Sequence, residues 1–276
     1  MIKLDRIVCP TDLSDDSERT IRYAVAITRA SGAKLFVCYR PKTPADRESA
    51  LATIENLITM GLTFPSSFSR DRLSIDWESV MLDGSDLGRL ITHEAESRRA
   101  DLIFMRSRRR PYAAALLGST AEAVSRVAPC PVLVMHADEV EWLDNKTGEI
   151  SLRNVLVAYD FSPHSHLALQ YALTLAQQYQ AGLHILHVLP PPIVDQPEIA
   201  WVNHTDTPYH QAARRLQEAI PAEVYLWSTV KHAVQYGQPY SEILTYTQNN
   251  EIDLIAMGAH GAGFPIPQTE NLSASA

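Results

Sequence analysis

The chain has 276 residues, enough for two domains at about 150 residues each, and its 46% hydrophobic and 20% charged content is that of a globular protein. The formal net charge of −8 argues against nucleic acid as a partner, because a duplex binder carries a basic face. No run approaches the roughly 18 apolar residues of a membrane span, the first ten residues hold no signal-peptide core, and the three cysteines show no CxxC spacing, so a reducing, cytoplasmic setting is expected.

The first predicted strand is the apolar run 7–10, followed by Asp12 and Ser14. Ser14 is a natural helix N-cap, and Ile21, Ala24, Val25 and Thr28 then share one helical face. Strands are predicted at 35–39 and 76–82, and a turn at Gly84 leads into a helix ending near Arg98. A fourth strand (101–105), a helix over 119–127 and a fifth strand (131–136) complete this copy. Ser119 and Glu122 have capping-box spacing. The polar stretch 139–151 reads as a linker, which sets the domains at 1–138 and 152–276.

The second domain repeats the first. At an offset of 148, residues 6–38 align with 154–186 without gaps, with seven identities in thirty-three positions, including Asp12/Asp160, Ser14/Ser162 and Tyr23/Tyr171. Strands are predicted at 155–158, 183–188, 223–233 and 253–257, with Pro163 at the first position of the first helix. Gly237 pairs with Gly84, and IDLIAM (252–257) with ADLIFM (100–105). After Gly258 neither a last helix nor a fifth strand can be found. Strands spaced by single helices imply right-handed crossovers and a parallel sheet. Ligands of such sheets bind beyond the carboxyl ends of the strands, where the strand order reverses.

The strand–PTDLS–helix opening, the ADLIFM segment, LLGSTAEAVSRVAPCPVLVM (116–135) and MGAHG (257–261) together resemble the universal stress protein family in its tandem form. The resemblance implies two flavodoxin-like, adenine nucleotide alpha hydrolase-like α/β domains, the second lacking its last helix and strand. It also implies a stress-response sensor or regulator. Many members bind ATP, with magnesium, through an Asp after the first strand and a pattern of G-x-x-G, nine residues, then G-S/T. Glycines let backbone N–H groups approach phosphate, and a hydroxyl at a helix N-terminus adds the positive end of the dipole.

Carried onto this chain, the first copy keeps Asp12, Gly118, Ser119 and Thr120 but has Arg106 and Arg109 where the glycines stand. Those arginines would fill the phosphate space, although RSRRR (106–110) could grip an anion. The second copy keeps Asp160, Val188, Gly258 and Gly261, with His260 between the glycines, and lacks the G-S/T loop. A protein–protein interaction module with degenerate sites is the rival reading. A weak ATPase ranks third, because no nucleophile elbow, Walker lysine or paired carboxylates occur. Eight of the ten histidines lie in the second copy without metal-ligand spacing, and no metal site of the protein's own is expected. Fifth strands of this family pair antiparallel between domains. Only the first copy supplies one, so the edge at 132–135 is expected to pair with another chain as a homodimer, unless the sequence is cut short.

Overall fold

The apolar run after Arg6 becomes β1 (Arg6–Thr11), whose Ile7, Val8 and Cys9 are fully buried, as a strand covered on both faces requires. The computed structural model describes residues 3–62, 74–107, 119–136, 142–144, 147–191 and 207–259. It falls into two compact units, Met1–Ser151 and Leu152–Ala276.

In the first unit β1 leads to α1 (Asp15–Ser31), β2 (Lys34–Tyr39), α2 (Pro44–Leu62), β3 (Asp76–Met81), α3 (Leu87–Ser97), β4 (Leu102–Arg106), α4 (Ser119–Val127) and β5 (Val132–Met135). The strands pair in parallel in the order β3-β2-β1-β4-β5. The order reverses between β1 and β4, which places their carboxyl ends at the switch point. Gly32 ends α1 in the left-handed conformation, φ 70°, and its N–H donates to Thr28 O at 2.9 Å. Asp86 caps α3 by accepting from Arg89 N at 3.1 Å.

The second unit runs β6 (Asn154–Ala158), α5 (Pro163–Tyr179), β7 (Gly182–Leu189), α6 (Pro208–Ala219), β8 (Val230–Tyr236), α7 (Pro239–Asn249) and β9 (Leu254–Met257). Its described residues form a four-stranded parallel sheet, β8-β7-β6-β9, with the switch point between β6 and β9. Residues 260–276, where a further helix and strand would have to lie, are outside the described residues. The predicted third strand starts too early. Ala222–Leu226 after Pro221 form a 3-10 turn with Leu226 exposed, and the strand begins only at Val230.

The repeat is visible in bonding as well as in sequence. The Asp of each DLI segment clamps the start of its unit's first strand. Asp101 Oδ2 accepts from Asp5 N and Arg6 N at 2.9 Å each, and Asp253 Oδ2 accepts from Arg153 N and Asn154 N at 2.7 and 2.9 Å. The segment read as a polar linker has a buried apolar part. Trp142 and Leu143 are each 5% exposed, and Leu143 bridges Ile150 in antiparallel fashion. Trp142 packs edge-on to Tyr23 of α1 at 4.4 Å and donates its backbone N–H to the Tyr23 hydroxyl at 3.2 Å.

Candidate functional site

In the first unit Asp12 follows β1 directly. Its Oδ1 accepts from Ser14 N (3.1 Å), Ser14 Oγ (2.6 Å) and Ser17 Oγ (2.6 Å). Ser14 therefore serves the carboxylate and makes no side-chain cap bond to the helix. Arg106 ends β4 opposite Met135, and the buried Ser107 after it donates its N–H to Met135 O at 2.8 Å. Ser119 and Thr120 open α4, the first exposed and the second half-buried. The predicted capping box is not made as read: Glu122 instead accepts from Arg126 at 2.6 Å, an i,i+4 pair that its position on the helix surface favours. Arg109 and Gly118 lie outside the described residues.

The second unit arranges the same motif differently. Asp160 Oδ1 accepts from Ser162 N at 3.0 Å, while its own N–H donates to Ser165 Oγ at 3.3 Å. Ser162 caps α5 by accepting from Ser165 N at 3.1 Å, and Pro163 occupies the first turn. The serine hydroxyls here bond to each other and to the backbone of the helix start. Gly258 follows β9. A Cβ at this position would lie 2.9 Å from His164 Cβ and 3.1 Å from His164 C and Ser165 N. Only a glycine lets the exit of β9 settle on the first turn of α5. Asp160 and Gly258 thus sit at the ends of neighbouring strands, beside a helix N-terminus that favours negative charge.

Val188 is half-buried on β7, opposite Gln235, and packs against the core cluster of Leu156, Leu186, Tyr246 and Ile252. His260 and Gly261 lie outside the described residues. One group escaped the sequence reading. Phe161, between Asp160 and Ser162, has φ 63°, and its ring meets Tyr159 at 5.2 Å, His187 at 4.6 Å and the Arg215 guanidinium at 3.7 Å. The His187 Nδ1–H donates to Tyr159 O at 2.8 Å. The available signal was positional: Leu13, the residue equivalent to Phe161, shares its left-handed backbone, φ 52°.

Among the described residues no cysteine thiol is activated as a nucleophile. Burial pushes the thiols of Cys38 and Cys130 up to about 12, and that of Cys9 higher still. Burial, and then the charge of Lys231, lowers His184, whose Nδ1 meets the Tyr246 hydroxyl at 3.1 Å. Among the described residues no group of three His, Cys, Asp or Glu side chains is placed to hold a metal, and no helix is long and apolar enough to cross a membrane.

The model of the universal stress protein family matches the chain twice, at residues 3–136 and 151–266. No curated protein matches the sequence. Among solved structures, a universal stress protein from Archaeoglobus fulgidus DSM 4304 superposes with a TM-score of 0.65 at 23% identity, covering 95% of this chain and 88% of that one. A protein of unknown function from Pseudomonas aeruginosa PAO1 gives 0.60 at 15% identity, covering 93% and 83%. A universal stress protein of Pseudomonas aeruginosa UCBPP-PA14, assigned as such only tentatively, gives 0.58 at 17% identity, covering 93% and 84%. At these identities the superpositions speak for the fold alone. The double family match spans most of the sequence, and each matched range falls on one parallel α/β unit with the same Asp-x-Ser opening: the chain belongs to the universal stress protein family, with two copies of its domain.

Proposed function

We propose that the protein acts in stress-linked regulation by binding an adenine nucleotide in its second unit, without turning it over. The observation that carries this reading is the juxtaposition of Asp160 and Gly258 at the β6–β9 switch point, beside the N-terminus of α5. The carboxylate suits the hydroxyls or amino group of a nucleoside, and the helix dipole suits its phosphates. Magnesium would arrive on the phosphates, because Mg²⁺ keeps water and phosphate oxygens in preference to an all-protein cage. Binding without turnover is the reading preferred, since among the described residues neither an activated nucleophile nor a paired acid and base accompanies Asp160 and Gly258.

The first unit favours the rival role. Three donors converge on Asp12 Oδ1, and Arg106 stands where backbone would have to approach phosphate. We assign that unit to protein contacts, including a homodimer through the edge strand β5, whose Val132, Leu133 and Val134 are half-buried. Calorimetric titration of ATP with magnesium tests the reading. Asp160→Ala is expected to weaken binding at least tenfold, and Asp12→Ala to leave it unchanged. Absence of binding to the intact chain at millimolar ATP would leave an interaction module with two vestigial sites.

A further inference from the structure

Away from both switch points, the first unit has a cleft of about 620 Å³ between the carboxyl ends of β2 and β3, a volume within the range of small-molecule sites. Arg40, Lys42 and Arg47 line it, together with Met81, Asp83 and Gly84. Three cations on one cleft are unexpected in a chain of net charge −8. Among the described residues none of the three is held in an ion pair, whereas Lys34, Arg98 and Arg126 each have a carboxylate partner. Arg40 donates to Gly84 O at 3.3 Å, which ties the two strand ends together and fixes one wall.

The neighbouring carboxylates do not cancel this charge by contact. Asp46 accepts from Thr43 N at 2.9 Å and is committed to the start of α2. Glu48 lines the adjoining groove along β3 with Arg47 and Met81. Asp83 lines the cleft itself and makes no ion pair among the described residues. Like charges gathered without a counterion raise the free energy of the bare cleft, and a bound polyanion relieves it. Guanidinium groups grip phosphate through two parallel N–H bonds, and Lys adds a point charge. A carboxylate beside them accepts hydroxyl protons.

From this arrangement we infer a second ligand site, for a phosphorylated and hydroxylated small molecule of the sugar-phosphate class, with phosphate on Arg40, Lys42 and Arg47 and hydroxyls toward Asp83. None of Asp12, Arg106 and Ser119 lines this cleft, whereas Arg40 is the first copy's counterpart of Val188, so the site adjoins the first copy's nucleotide pattern and is independent of the reading for the second unit.

Ribose 5-phosphate and inorganic pyrophosphate, titrated into the intact chain by calorimetry, are the probes. Both are expected to bind, and binding is expected to weaken at least tenfold in Arg47→Ala and in Lys42→Ala, both at exposed positions where folding is not at stake. Asp83→Asn should weaken ribose 5-phosphate and spare pyrophosphate. Asp160→Ala should leave both unchanged, so loss of ATP binding there and loss of sugar-phosphate binding here read out separately. Lack of binding at millimolar probe, or binding indifferent to Arg47→Ala and Lys42→Ala, overturns the site. Loss in Asp160→Ala alone overturns it as well, by moving the probe to the second unit.

Discussion

His184 shows how one residue couples packing to pH. It is 1% exposed on β7, bonded through Nδ1 to the Tyr246 hydroxyl, and burial first and Lys231 second hold it below the ordinary histidine value of 6.5. The unfolded chain therefore takes the proton first. The stability that His184 contributes is complete above about pH 6.5 and is lost as pH falls below that value toward the folded-state pKa. His232 is lowered by burial in the same direction. Melting temperatures of the wild type should fall between pH 7 and pH 5, and His184→Leu should flatten this dependence without abolishing it. An unchanged slope would mean that the imidazole is not held neutral. Tyr246→Phe leaves the ring nitrogen without its hydroxyl partner and should cost about 1–3 kcal/mol at pH 7, measured by urea unfolding.

At the scale of elements, the contact between β9 and α5 decides the shape of the proposed nucleotide site. Gly258→Ala forces a methyl group against His164 and the Ser165 amide at 2.9–3.1 Å, so strand and helix must separate. Overpacking of this kind should cost about 1–3 kcal/mol, and it should weaken ATP binding by displacing Asp160 from the strand end. Equal affinity in wild type and variant would show that the close approach serves packing alone. The Asp-x-Ser opening was legible as a helix start in both copies, yet the two use it differently. The backbone is nearly the same at Ser14 (φ −73°, ψ 162°) and Ser162 (φ −75°, ψ 158°), yet the Ser14 hydroxyl donates to Asp12 while Ser162 Oγ accepts from Ser165 N and caps α5. Capping-box spacing at Ser119 and Glu122 misled because Ser119 is already the first residue of α4, and Glu122 pairs with Arg126.

For the whole molecule, the two units keep separate cores, one with Ile7, Leu35, Ile103 and Phe104 and the other with Leu156, Leu183, Ile185 and Leu216. Trp142 belongs to the first of these through Tyr23, despite its polar sequence neighbours. Trp142→Ala should destabilise the first unit by about 3–5 kcal/mol. Hydrogen exchange should then accelerate in α1 and β1 and remain unchanged in β6 and β7. Equal acceleration in both would show that the units unfold as one.

The duplication, the strand–helix alternation and the parallel pairing of the sheets were legible in the chain alone, because buried apolar runs, glycine turns and the Asp-Leu-Ile segments are local patterns repeated at nearly constant spacing. Asp160 and Gly258 were named in advance by their match to the family's nucleotide pattern, just beyond predicted strands. Three things depended on the folded structure. The Phe161–His187–Arg215 cluster joins the turn before α5 with β7 and α6. The burial of Trp142 depends on a partner 119 positions away. The basic cleft gathers Arg40 and Lys42 after β2, Arg47 in α2 and Asp83 after β3. Each rests on distances between segments far apart in sequence, which no local pattern of hydrophobicity or charge encodes.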